Sequence, residues 1–120
     1  MSELLFVYGS LRPSLQHSAT RHFVERFEFI GKGTVTGILH DLGEYTGAVL
    51  TADAAHQISG ELVAVPADEA FWQALDDYEN YDTDNSAQSL FIRQRCFVRL
   101  AEAKTVMAWI YTYNKKNEKI

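Results

Sequence analysis

Five glycines fall within seventeen residues: Gly31, Gly33, Gly37, Gly43 and Gly47. The pieces between them are β-type: Thr34-Val35-Thr36, Ile38-Leu39-His40 and Ala48-Val49-Leu50. Glycines inside strand patterns mark bulges, sharp bends or places where another backbone comes close, as at the corners of a small barrel. The central part of the chain is therefore expected to be short strand pieces turned at glycines.

The flanking sequence fits such a fold. Leu4-Leu5-Phe6-Val7-Tyr8 is an apolar run stopped by Gly9-Ser10, which reads as a buried strand with a loop from Gly9 to Ser14 leaving its end. Ala19 to Phe29 is expected to hold a short helix, with Phe23 and Phe27 on one face. A strand from Gly60 to Val65 ends at Pro66, a residue suited to a helix start, with Asp68 and Glu69 as first-turn acids. Phe71, Leu75 and Tyr78 then repeat at helical spacing, so the pattern predicts a helix over Ala67 to Tyr78. Glu79 to Gln88 is polar and reads as a loop. Phe91 to Leu100 and Thr105 to Tyr113 are strand-like runs joined by Ala101-Glu102-Ala103-Lys104, a hairpin pattern. In the first run Cys96, Val98 and Leu100 share a face opposite Arg95 and Arg99; in the second, Trp109, Tyr111 and Tyr113 share one. The charged tail, 115–120, is expected to fray. Many short strands, clustered glycines and one good helix predict a β-rich barrel of the α+β kind, in a single domain over residues 1–114.

Charge and composition exclude several roles. The 120 residues carry 11 Lys+Arg against 16 Asp+Glu, a formal charge of −5, so a nucleic-acid partner is not expected. No run approaches the ~20 apolar residues of a membrane span, and the acidic, short apolar N-terminus does not read as a signal peptide. A lone cysteine, Cys96, cannot form an internal disulfide or a multi-cysteine zinc site. It alternates with Val98 and Leu100 as a core thiol would. His17, His22, His40 and His56 lack the i, i+4 spacing of a metal pair, and no metal or cofactor is expected. These readings favour a reducing, cytoplasmic setting, and the chain is expected to be a monomer.

Two stretches could carry chemistry. Tyr8-Gly9-Ser10-Leu11-Arg12 follows a strand, and a glycine-containing turn there can aim successive backbone amides into one concavity that binds a carboxylate or oxyanion. Tyr8 could add a donor at its rim and Arg12 a positive charge. Ser10 is a weak nucleophile candidate, because Tyr8 and Arg12 stand where a nucleophile elbow needs glycines. The acids Asp76, Asp77, Glu79, Asp82 and Asp84 read mostly as a solvated helix end and loop. Glu79 differs, because it lies one turn after Leu75 on the apolar side of the helix. Apolar walls raise a carboxyl pKa towards the range useful to a general base.

In order along the chain, these motifs resemble the gamma-glutamylcyclotransferase-like superfamily, closest to its small branch with gamma-glutamylamine cyclotransferase and AIG2-like proteins. Phe6-Val7-Tyr8-Gly9-Ser10-Leu11-Arg12 resembles the family's opening strand and glycine loop. The stretch from Gly37 to Ala48 resembles its G-x-L-(Y)-x-x-G-x-(Y/F)-P-(G/A) pattern, and Gly60-Glu61-Leu62 its G-E-(L/V/I) strand. Leu75-Asp76-Asp77-Tyr78-Glu79-Asn80-Tyr81 resembles the L-D-x-x-E-G-Y segment with the catalytic glutamate. Phe91-Ile92-Arg93 stands at Y-x-R, and Ala108-Trp109-Ile110-Tyr111 at the last strand. The resemblance implies a small mixed β-barrel with flanking helices. It further implies that Tyr8, Gly9, Ser10 and Leu11 bind substrate, that Glu79 is the catalytic acid/base, and that a γ-glutamyl group cyclises to 5-oxoproline with release of an amine. Thr46, Asn80, Phe91 and His40 depart from the pattern. The alternative reading is a non-catalytic module that binds a small metabolite on the same fold.

Overall fold

The computed structural model describes residues 2–43 and 46–114. Six strands form the frame: β1 (Ser2–Val7), β2 (Glu28–Asp41), β3 (Thr46–Leu50), β4 (Gln57–Pro66), β5 (Phe91–Leu100) and β6 (Thr105–Tyr113). Two helices, α1 (Arg21–Val24) and α2 (Glu69–Tyr78), accompany them. The strand order is β3-β2-β4-β1-β6-β5, and an extra β2–β5 pairing closes β2, β4, β1, β6 and β5 into a barrel with β3 attached outside the ring. All pairings are antiparallel except β1 with β6, where Leu5 lies beside Trp109 and Phe6 beside Ile110. The fold is thus α+β with a small mixed barrel.

The continuous apolar runs of β1 and β4 reflect burial on both faces. Phe6, Leu62, Val35, Val98 and Ile110, drawn from all five barrel strands, fill the interior. The alternate residues Leu5, Val7, Val63, Val65 and Tyr111 face outward under Phe71, Trp72 and Leu75 of α2. Side chains on successive strand residues point to opposite faces, so each strand feeds two cores. Each fully buried Val, Leu, Ile or Phe stabilises the fold by roughly 1.5–3 kcal/mol.

Several expected boundaries shift. The pieces 34–36 and 38–40 belong to one fourteen-residue strand, β2. Its glycines bend rather than break it: the register slips between Phe29 and Gly31. A Cβ at Gly33 would lie 2.8 Å from Val98 Cγ1, and one at Gly37 would lie 2.8 Å from Val49 O. The helix expected over 19–29 is a single turn, because the chain re-enters β2 at Glu28 and Phe27 packs on the outer core as loop. Pro66 ends β4 instead of opening α2. The helix starts after Asp68, whose side chain caps it by accepting from the amides of Ala70 and Phe71. The β5–β6 hairpin stands as read, with Cys96 and Val98 buried and Arg95 and Arg99 exposed. The charged tail lies outside the described residues.

Candidate active site

β1 delivers the first part of the site. It ends at Val7, and the following turn closes where the Arg12 amide donates to Gly9 O at 3.1 Å. Among the described residues the amides of Gly9, Ser10 and Leu11 meet no protein acceptor. The loop beyond is tied down twice. Thr20 Oγ1 donates to Ser10 O at 2.9 Å. Ser14 donates through its amide to Glu61 Oε1 at 3.1 Å and through its hydroxyl to Oε2. Glu61 is a β4 residue, 4% exposed among apolar neighbours, and its carboxylate is satisfied by this loop.

α2 delivers the second part. It ends in a Schellman motif: the Tyr81 amide donates to Asp76 O at 2.8 Å and that of Asn80 to Asp77 O at 3.1 Å. The motif demands a left-handed residue after the cap, and Asn80 has φ +59°. Asparagine tolerates that conformation better than most residues, which is why it can stand where the family pattern has glycine. Glu79 is the cap itself, held in place by the bonds on either side of it.

The two parts meet in a cavity of about 590 Å³. Tyr8, Gly9, Ser10, Leu11 and Glu79 all line it, over a floor that includes Val7, Phe91 and Tyr111. Burial pushes the Glu79 carboxyl up from 4.5 to about 7. The partial negative charge at the C-terminus of α2 acts in the same direction. The other acids of the segment do not line the cavity. Asp76 is occupied elsewhere: its Oδ1 accepts from Tyr111 OH at 2.7 Å and lies 3.1 Å from Arg93 Nε. The Arg93 guanidinium sits between the rings of Trp72 and Trp109, at 4.5 and 4.8 Å from their centres.

Tyr8 plays a different part from the rim donor expected of it. Its hydroxyl donates to Tyr111 O at 2.6 Å and accepts from the Ala48 amide at 3.1 Å, so its proton is committed within the protein. Burial raises its pKa well above the ordinary tyrosine value, the Ala48 amide opposes this, and the nearby Glu79 charge adds to it. Tyr8 is a strut joining β6 to β3 that offers the cavity its ring. Ser10 Oγ pairs with Tyr78 OH at 2.7 Å. Phe91 is buried in the floor, so the missing hydroxyl leaves that wall apolar, and Thr46 replaces a proline at the edge. His40 lies in β2 opposite Gly47, outside the cavity lining. The Glu61–Ser14 and Asp76–Tyr111–Arg93 groups were not evident from sequence. The available hint was an acid, Glu61, set against an apolar strand. Among the described residues no three His, Cys, Asp or Glu side chains are grouped as metal ligands.

A glycine turn and a cap glutamate sharing one cavity at the end of a small mixed barrel define a recognisable class. The chain belongs to the family described as gamma-glutamyl cyclotransferase, AIG2-like, which it matches over residues 5–120. YkqA of Bacillus subtilis is similar in structure at 26% identity and a TM-score of 0.69, over 95% of this chain and 36% of that one. This chain therefore spans about a third of the length of YkqA. An AIG2-like protein of Mus musculus aligns at 22% identity and a TM-score of 0.73, over 98% of this chain and 80% of that one. A gamma-glutamyl cyclotransferase aligns at 13% identity and 0.64, over 94% and 67%. The last two likenesses bear on the fold. No curated protein matches in sequence.

Proposed function

We propose that the protein is a gamma-glutamylcyclotransferase that converts a γ-glutamyl amino acid or γ-glutamyl amine to 5-oxoproline and the free amine. The observation that supports this most is the pairing, in one cavity, of an amide turn with a carboxyl whose pKa lies at about 7. Ionised Glu79 takes a proton from the substrate α-ammonium, and the freed amine attacks the γ-carbonyl carbon. A ring C–N bond forms while the carbonyl electrons move to oxygen. The amides of Gly9, Ser10 and Leu11 hold either that oxyanion or the α-carboxylate, which keeps the amine near its target. Protonated Glu79 then gives its proton to the departing nitrogen as the original amide bond breaks; the second proton, shed by the ring nitrogen as it becomes a lactam N–H, goes to the free amine, which leaves as ammonium, and Glu79 returns to carboxylate. No water is consumed. A base with a pKa near the working pH suits both halves of this exchange, which is worth typically 10²–10⁴ in rate.

The test incubates wild type and Glu79→Gln with γ-glutamyl amino acids, γ-glutamyl-ε-lysine, glutathione and simple γ-glutamyl amines, following 5-oxoproline by mass spectrometry. Wild type is expected to form product, with kcat/KM rising with pH through about 7 as Glu79 ionises, and the variant to lose at least about 100-fold. Undiminished turnover by Glu79→Gln would refute the mechanism. If wild type makes no product from any compound, the reading gives way to a binding module.

A further inference from the structure

The cavity has a floor and a rim of different character. Val7, Leu11, Phe91 and Tyr111 are buried in the floor, whereas Leu15 is 45% exposed and His17 lies open at the edge. If the cyclotransferase reading holds, the bond being broken lies against partly buried Glu79. The glutamyl half then occupies the interior, and the departing amine extends along the rim towards solvent. A cavity of about 590 Å³ accommodates both halves.

The rim is rich in donors. Arg12 is anchored through Nε, which donates to Gly9 O at 3.1 Å, so the guanidinium is oriented rather than free to swing. Its remaining N–H groups meet no carboxylate among the described residues, unlike those of Arg26, which pairs with Asp68, and Arg93, which pairs with Asp76. His17 Nδ1 accepts from the Ala19 amide at 3.2 Å, so the neutral ring carries its proton on Nε2 as a second donor. Among the described lining residues Glu79 is the one acid, and it is committed to the reacting atoms. A fixed guanidinium without a counterion among the described residues, lining the same cavity as a second donor, is matched by a carboxylate.

We propose, on the basis of the cyclotransferase reading, that Arg12, assisted by His17, recognises a carboxylate on the departing amine, so that γ-glutamyl amino acids are preferred over γ-glutamyl derivatives of amines lacking one. Arg12 is then a specificity residue for the outer half of the substrate, distinct from the turn amides that serve the inner half.

The test uses a pair of substrates differing by that group alone, γ-glutamylalanine and γ-glutamylethylamine, with wild type, Arg12→Gln and Arg12→Lys. Wild type is expected to favour γ-glutamylalanine in kcat/KM by about 10- to 100-fold, the range of a charge-assisted hydrogen bond. Arg12→Gln should bring the two within about threefold, chiefly by losing on γ-glutamylalanine, and Arg12→Lys should restore part of the difference. Equal use of both substrates by wild type overturns the proposal while leaving the reaction intact. So does an equal loss on both in Arg12→Gln, which would place Arg12 on the glutamyl α-carboxylate. If wild type forms no product from either, calorimetric binding of the same two compounds decides the Arg12 question, while the wider panel decides the reaction. A preference for γ-glutamylalanine that Arg12→Gln abolishes supports the contact; equal or absent binding overturns it.

Discussion

Glu79 should tax the stability of the fold whether or not it turns over a substrate. Its pKa is about 7 in the folded protein against an ordinary 4.5, with burial as the cause. Between these values the folded chain holds a proton that the unfolded chain has lost, so stability falls as pH rises through that window. The full difference corresponds to about 3 kcal/mol at 1.36 kcal/mol per pH unit. Because Glu79 is only partly buried and water at the cavity softens the penalty, about 1–3 kcal/mol is the working range. Glu79→Gln removes the ionisable group at nearly constant volume. Its stability relative to wild type should be about zero near pH 4.5, grow between pH 5 and 7, and level off at about 1–3 kcal/mol above pH 7.5. For a chain of this size that is a rise in Tm of roughly 5–10 °C. Urea unfolding of both proteins at several pH values from 4.5 to 8.5 measures it directly. A difference that does not change with pH, or a variant less stable than wild type at pH 8, would refute the claim that the cavity holds a desolvated carboxyl.

Asp76 should behave in the opposite sense. Asp76→Ala strips the acceptor from Tyr111 OH and the counterion from Arg93, so it should cost about 3 kcal/mol in urea unfolding, with Asp76→Asn costing less because it keeps an acceptor. At the end of α2, Asn80→Ala should lower stability by about 1 kcal/mol, while Asn80→Gly should be neutral or slightly stabilising, because φ +59° suits glycine. Equal melting temperatures for these two variants would contradict the Schellman assignment.

What could be read from sequence was governed by period. Strands β5 and β6 and helix α2 announced themselves because their apolar residues repeat at two or at three to four, and β1 and β4 because they are continuous apolar runs ended by turn residues or proline. β2 did not, since Gly33 and Gly37 look like breaks in one dimension and prove to be points of close approach in three. The Pro66 boundary slipped because Asp68 competes for the amides that begin the helix, and a side-chain cap outweighs a well-placed proline. At the site, the glycine turn and Glu79 carried local signals: a strand end and a carboxyl on an apolar helix side. The commitment of the Tyr8 hydroxyl to Tyr111 O and Ala48 N carried none. Its partners lie 103 and 40 residues away, and only the barrel brings them together.

The parallel contact between β1 and β6 also dictates when the cavity can first exist. Leu5 and Phe6 pair with Trp109 and Ile110, so β1 is made well before the strand that must lie beside it. The ring is then sealed by a narrow seam, Gly33 with Leu100 and Thr34 with Arg99. Contacts so distant in sequence form late and slowly. A nascent chain lacking β6 would leave Phe6 and Leu62 without their Ile110 wall and Tyr8 without the carbonyl that receives its proton. Closing the barrel and completing the cavity both need β6, so the two are coupled.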